Sequence, residues 1–309
     1  MRVLACGFTL SLALPALLSE SLAQGWIRQE SGTRESLNGV SFLDADTGTV
    51  VGDRGTILRT VDGGETWVPQ DSGTANNLYR VSLIDPDTAT VVGASGTILR
   101  TTDAGETWVL QDSVMSNLSD VYFVDRDTGW MAGISGIAHT SDGGETWIRQ
   151  DSTNSTRIFF VDAKTGWASG VSLRHTTDGG ETWIYQRQDP LSAGLYFLDS
   201  KTGFTSDGHL GAERDYGGIY STVDGGETWT RQDWRQPVWN IVFPDAMVGY
   251  AITGGGLSSP RRVARTTDGG QTWHAQAQMS VWALSFVDAN VGTAVGVSGL
   301  IFHTTTGGE

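Results

Sequence analysis

The residues able to do acid–base or metal chemistry are few and scattered. The five histidines, His139, His175, His209, His274 and His303, lack the tight spacing of a zinc site. Asp44-Ala45-Asp46-Thr47-Gly48 hints at calcium but lacks the third acidic position and the distal glutamate of an EF loop, so no metal is expected. Asp120, Glu213 and Asp215 could form an acid–base pair, yet nothing in their spacing selects them. Hydroxyl groups are plentiful but stand beside no recognisable base, so a hydrolytic triad has no support. What recurs is a turn, Thr60-x-Asp62-x-Gly64-x-Thr66-Trp67. It returns around Asp103, Asp142, Asp178, Asp224 and Asp268, and in worn form at the C-terminus, where Thr306 replaces the Asp. In each copy the carboxylate can accept hydrogen bonds from turn N–H groups and the Gly supplies a positive φ. The ring of Trp67, Trp108, Trp147, Trp183, Trp229 or Trp273 can fill the space between sheets. Six equivalent sites rarely share one reaction, so these Asp and Trp residues are expected to be structural, with no catalytic residue and no cofactor.

The elements that carry these turns repeat with a period of about forty residues, the length of a propeller blade. Each period opens on an apolar run ending in Asp, such as Val40-Ser41-Phe42-Leu43-Asp44 or Val121-Tyr122-Phe123-Val124-Asp125. A second run ends in Gly (Thr49-Val50-Val51-Gly52), a third leads into the Asp turn (Gly55 to Thr60), and a fourth starts at the Trp. Runs of four to six residues bounded by Gly and Asp read as strands, here called a to d in each unit. The sequence holds seven a strands but only six d strands after them. The seventh d strand lies at the other end of the chain: Gly25-Trp26-Ile27-Arg28-Gln29-Glu30-Ser31 matches Thr146-Trp147-Ile148-Arg149-Gln150-Asp151-Ser152. The residue three past each Trp is Gln in all seven cases, from Gln29 to Gln276. The pattern predicts an all-β, single seven-bladed propeller of four-stranded antiparallel blades, closed by the N-terminal strand pairing into the last blade.

Composition sets the surroundings. The net charge of −15, with 35 acidic and 20 basic residues, argues against nucleic acid and anionic membrane surfaces as partners. Residues 1–23 read as an export signal, with Arg2 ahead of an apolar stretch and Ser21-Leu22-Ala23 as the cleavage site. The apolar run is too short to stay as a membrane span, so 24–309 is expected to be periplasmic or extracellular. The one cysteine, Cys6, lies inside that leader, and the mature chain must be held by packing and backbone pairing without disulfides.

The turn fits the Asp-box, or bacterial neuraminidase repeat. The full unit, with its Val-x-Phe-x-Asp, the Thr-Gly turn, the Gly-x-Ile-Leu-Arg-Thr strand and the box, resembles the photosystem II stability and assembly factor family. The resemblance covers residues 25–309. It implies a non-enzymatic propeller that holds a membrane-protein precursor or an envelope complex during assembly, with the box on the rim away from any site. The alternative class is a carbohydrate-binding propeller or a glycoside hydrolase. Sialidases usually begin with an Arg-Ile-Pro segment, absent here, and Asp-box xyloglucanases use two tandem propellers where this chain has one.

Strand order puts the a–b turns and the Asp-boxes on one face, and the d–a and b–c loops on the other. The first set is nearly uniform from blade to blade and the second varies, which is where repeat scaffolds usually place binding. Two neighbouring b–c loops are enlarged. One carries Arg214 and Tyr216, the other Arg261 and Arg262. The adjacent connection carries Trp234, Arg235 and Trp239, and Trp282 is the equivalent of Trp239 one blade on. Aromatic and Arg residues gathered on irregular loops have the composition of a protein-binding hot spot. A second series lies three residues before each box Asp: Arg59, Arg100, His139, His175, Ser221, Arg265 and His303. Its plain reading is inter-blade packing against a neighbouring Asp. The resemblance adds Arg59, Arg100 and Arg265 to the candidate partner-binding residues. The expected partner is a protein, bound by a monomer without membrane insertion.

Overall fold

A computed structural model describes residues 25–187, 192–209, 216–234, 236–255 and 260–309. The leader, with Cys6, lies outside them, as do Glu213, Arg214, Asp215 and Arg235. Seven four-stranded antiparallel sheets are formed, each a meander running a to d. Blade one consists of Leu37–Phe42, Gly48–Gly52, Ile57–Thr60 and Val68–Gln70. In blade seven, strands Val281–Phe286, Gly292–Gly296 and Ile301–Thr304 are completed by Ile27–Gln29, with Ile27 opposite His303 and Gln29 opposite Ile301. The predicted closure is therefore formed, and the last blade has its full four strands.

The middle strand b of most blades is buried at every position, Gly48–Gly52 and Gly129–Gly133 among them. A strand buried on both sides suits β-branched and aromatic residues, which pack between adjacent blades. The Phe of Val-x-Phe-x-Asp is the junction. Phe160 stacks on Trp130 of the preceding blade at 3.5 Å between centroids, and the box Trp183 of its own blade meets it edge-on at 6.1 Å. The pattern repeats with Phe197 on Trp167 (3.4 Å) and Phe243 on Phe204 (3.6 Å). These contacts explain the Gly after six of the seven a–b turns, since a Cβ at Gly166 would lie 2.4 Å from the Phe160 ring; in blade two the position is Ala89, opposite Leu83 in place of Phe.

The Asp-box is a closed hydrogen-bond unit. The Asp62 carboxylate accepts from Thr66 N (2.9 Å), Thr66 Oγ1 (2.6 Å) and Thr60 Oγ1 (2.8 Å), and Thr60 Oγ1 accepts from Gly64 N (2.8 Å). The same bonds recur at Asp103, Asp142, Asp178, Asp224 and Asp268. The hydroxyl and backbone donors of the turn hold each carboxyl down to about 2.

At five of its seven positions the repeated Gln staples one blade to the next. Gln29 Nε2 donates to the Gly63 carbonyl in the box of the following blade (2.8 Å), and its Oε1 accepts from Trp67 Nε1 (3.2 Å). Gln70 repeats both bonds with Ala104 and Trp108, at 2.9 and 3.1 Å. Gln150, Gln186 and Gln276 donate to Gly179, Gly225 and Gly307. The amide occupies the space a side chain would need, so Gly64, at φ +84°, has a second reason to be glycine.

Candidate binding site at the channel mouth

Two opposed faces follow from the turns. On one, Gly63 N of the box donates to Asp46 O of the a–b turn (2.9 Å). On the other, the b–c turn meets the d–a loop, with Asp53 N donating to Ser36 O (2.8 Å) and Gly254 N to Pro237 O (2.9 Å). A cavity of 560 Å³ opens on this second face, at the mouth of the central channel.

The elements that build it are the seven inner strands. Each a strand shifts register at its second residue, a β-bulge against strand b, at Asn38, Tyr79, Ser119, Thr156, Ala193, Trp239 and Trp282. All seven of these residues line the cavity. A bulge re-aims a side chain out of the pleat, so one device repeated around the ring turns seven side chains to the axis.

Immediately after the bulges come Arg80, Asp120 and Arg157 in blades two, three and four. Arg80 Nη1 donates to the Asn38 and Tyr79 carbonyls (2.8 and 2.9 Å), and its Nε lies 3.9 Å from Asp120. Arg157 donates to the carbonyls of Ala193 (3.0 Å) and Thr156 (3.1 Å). Asp120 accepts from Val121 N (3.0 Å) and Ile158 N (3.1 Å). Burial pushes the Asp120 carboxyl up against the pull of both arginines. Burial, helped by the like charge of Arg80, lowers the Arg157 guanidinium to about 9, so it stays protonated at neutral pH.

Across the mouth, the Arg261 guanidinium lies 3.8 Å from the Trp282 ring centroid and 5.1 Å from that of Trp239. Trp239 Nε1 donates to Gly254 O, at 2.5 Å, which anchors this ring to the enlarged b–c loop. Burial lowers Arg261 to about 10, and Trp282 keeps 37% of its surface exposed.

The family model for photosynthesis system II assembly factor YCF48 matches residues 18–112, 69–153 and 109–237, which together span most of the chain. The chain belongs to the YCF48 family. The BNR/Asp-box repeat model also matches residues 264–275. Among solved structures, YCF48 bound to D1 peptide superposes with a TM-score of 0.72 at 18% identity, covering 93% of this chain and 100% of that one. YCF48 from Cyanidioschyzon merolae gives 0.69 at 21% identity, covering 91% and 98%. The GH74 xyloglucanase from Xanthomonas campestris gives 0.74 at 15% identity over 92% of this chain, but only 54% of the enzyme. A search of curated protein sequences found no match. At these identities the superpositions show the shared propeller.

Within this YCF48-family chain, the candidate residues divide. Trp239, Arg261 and Trp282 come together at the cavity. Trp234 packs instead into the cluster of Phe204, Val238 and Trp273, and Arg262 pairs within strand c opposite Thr253 and Gln278. Tyr216 sits opposite His209 in its sheet. Arg59, Arg100 and Arg265 lie at the other face, where Arg59 and Arg100 are buried. Their expected Asp partner is replaced in two cases by a backbone carbonyl, Pro86 for Arg59 and Arg126 for Arg100, while Arg265 pairs with Glu309. The turn carboxylates are already taken, as Asp85 accepts from Asp87 N and Thr88 N. His139 and His175 lie over Trp130 and Trp167 at 5.0 and 4.7 Å.

Sequence reasoning passed over Tyr79, Arg80 and Arg157. Their signal was present in the two positions before each Val-x-Phe-x-Asp. The first of these is the bulge, and both vary between blades while the motif beside them stays constant. Among the described residues, no group of three or more His, Cys, Asp or Glu side chains converges to hold a metal.

Proposed function

We propose that this protein is an exported, non-enzymatic, monomeric binding factor that holds a partner protein, a membrane-protein precursor or an envelope complex, at the loop-face channel mouth. The observation that carries this reading is the Trp239–Arg261–Trp282 stack. It combines exposed aromatic surface with a desolvated guanidinium on the face where the blades differ, the composition from which protein interfaces draw most of their energy. Membership of a family of assembly factors supports it. The similar propeller bound to D1 peptide provides a precedent for peptide capture on this architecture.

The glycosidase alternative needs two facing carboxylates. Among the described residues lining the cavity there is none, and Asp120 behind them is tied to two backbone N–H groups. The test is affinity capture from the native membrane and envelope fraction, comparing wild type with the Trp239→Ala, Arg261→Gln, Trp282→Ala triple variant. A protein recovered by wild type and lost from a folded triple variant supports the site. Undiminished capture by the variant refutes it.

A further inference from the structure

The opposite wall of the same cavity has a chemistry that protein capture at the rim does not use. Arg80 and Arg157 line it, Arg261 faces them, and no described lining residue is acidic, although the whole chain carries a charge of −15. Both wall guanidinium groups are held in place through backbone carbonyls. Among the described residues, Nη2 of Arg80 and of Arg157 has no protein acceptor. Asp120, behind the wall, offsets only one of the two positive charges, and a desolvated cation that keeps free N–H groups at a cavity is costly for the fold unless an anion completes it.

The shape of the wall narrows the ligand. An extended peptide could dock by adding to the exposed inner edges of the blades, but those edges are already occupied by side chains. Asn38 Nδ2 donates to Leu78 O (3.0 Å), Ser206 Oγ donates to Val238 O (3.1 Å), and Asp120 accepts from Ile158 N (3.1 Å). Recognition must therefore run through side chains. Beside the arginines, the Ser119 hydroxyl and the Asn154 amide find no protein partner among the described residues, and the Tyr79 ring offers a stacking surface. A volume of 560 Å³ suits a small ligand. One carboxylate for the guanidinium fork, hydroxyls for Ser119 and Asn154, and a compact ring for Tyr79 together describe a sugar acid.

We propose that the wall formed by blades two to four binds the carboxylate of a uronic acid sugar, with Arg157 and Arg80 as the anion receptor. The site is independent of whether the rim captures a protein, because it is tested on the isolated protein with small ligands.

The experiment is a titration followed by heteronuclear NMR, using glucuronate and galacturonate as probes. Glucose and galactose serve as neutral counterparts, acetate as the bare anion, and a tripeptide with a free C-terminus as the competing carboxylate. Saturable binding of a uronate is expected, tighter than its neutral sugar by roughly tenfold or more. Arg157→Gln should weaken it by a similar factor while leaving the amide spectrum of the other blades unchanged. Should Arg157→Gln fail to fold, Tyr79→Ala provides the second variant, and the comparison of sugars on the wild-type protein stands alone. Absence of saturable binding by both uronates overturns the proposal. So does acetate binding as well as the uronates, which marks an adventitious ion only, or tighter binding of the tripeptide.

Discussion

The two faces of this ring are built from the same blades and use their polar groups in opposite ways. On the Asp-box face each box carboxylate is spent within its own turn, and five of the seven Gln side chains are spent on the next blade's box. On the loop face, the bulge of every inner strand points a side chain at one shared cavity, six residue types over seven blades, and two arginines there keep free donors. Repetition therefore marks where the chain stabilises itself. Variation on a repeated scaffold marks where it meets something else.

Substitutions on either face separate the two roles. The largest effect is expected from deleting residues 25–31, which removes Trp26, Gln29 and the strand that closes blade seven. Cooperative thermal unfolding by circular dichroism should be lost, and a retained sharp transition would show that the ring does not depend on closure. Next comes Trp67→Ala, which empties a site 8% exposed between Phe42 and Gln29. It should cost about 3–5 kcal/mol in denaturant unfolding without altering partner capture.

Acid should act on all six boxes together. Their carboxyls titrate at about 2 when folded, below the ordinary 3.8, so their contribution is complete above about pH 4 and is lost as pH falls toward 2. The thermal midpoint should therefore fall steeply only below that point. A comparable drop between pH 7 and 5 would assign acid sensitivity to other groups. Gln70→Ala removes one staple, and a loss of about 1 kcal/mol is expected by the same unfolding assay. The smallest change in stability belongs to the rim. Arg261→Gln should stay within about 1 kcal/mol of wild type while weakening partner capture by roughly tenfold or more, the reverse of the Trp67 result.

How much of this was readable beforehand differs between the two faces. The box and the a–b turn are each a contiguous stretch, and the bonds inside each close within about four residues, so a motif in the chain is also a motif in space. The Gln column was visible as a repeat, but its bonds run to the next blade, across 34 residues from Gln29 to Gly63, and its task was not. Trp239 and Trp282 were recognisable as equivalents one blade apart. Arg80 and Arg157 were hidden because each reads locally as an ordinary polar residue at the start of a strand.

The number of blades, the order of their strands and the closure by the N-terminal segment are all contained in the amino-acid sequence. Each of those follows from a period, a count and a match that need no coordinates. The make-up of the channel mouth, by contrast, exists only in the folded ring. Its residues come from all seven inner strands, spread from Asn38 to Trp282, and share one cavity because the ring closes and each strand bulges at the same point. The charge of that cavity, opposite in sign to the chain as a whole, follows from this convergence and from burial, and composition averages it away.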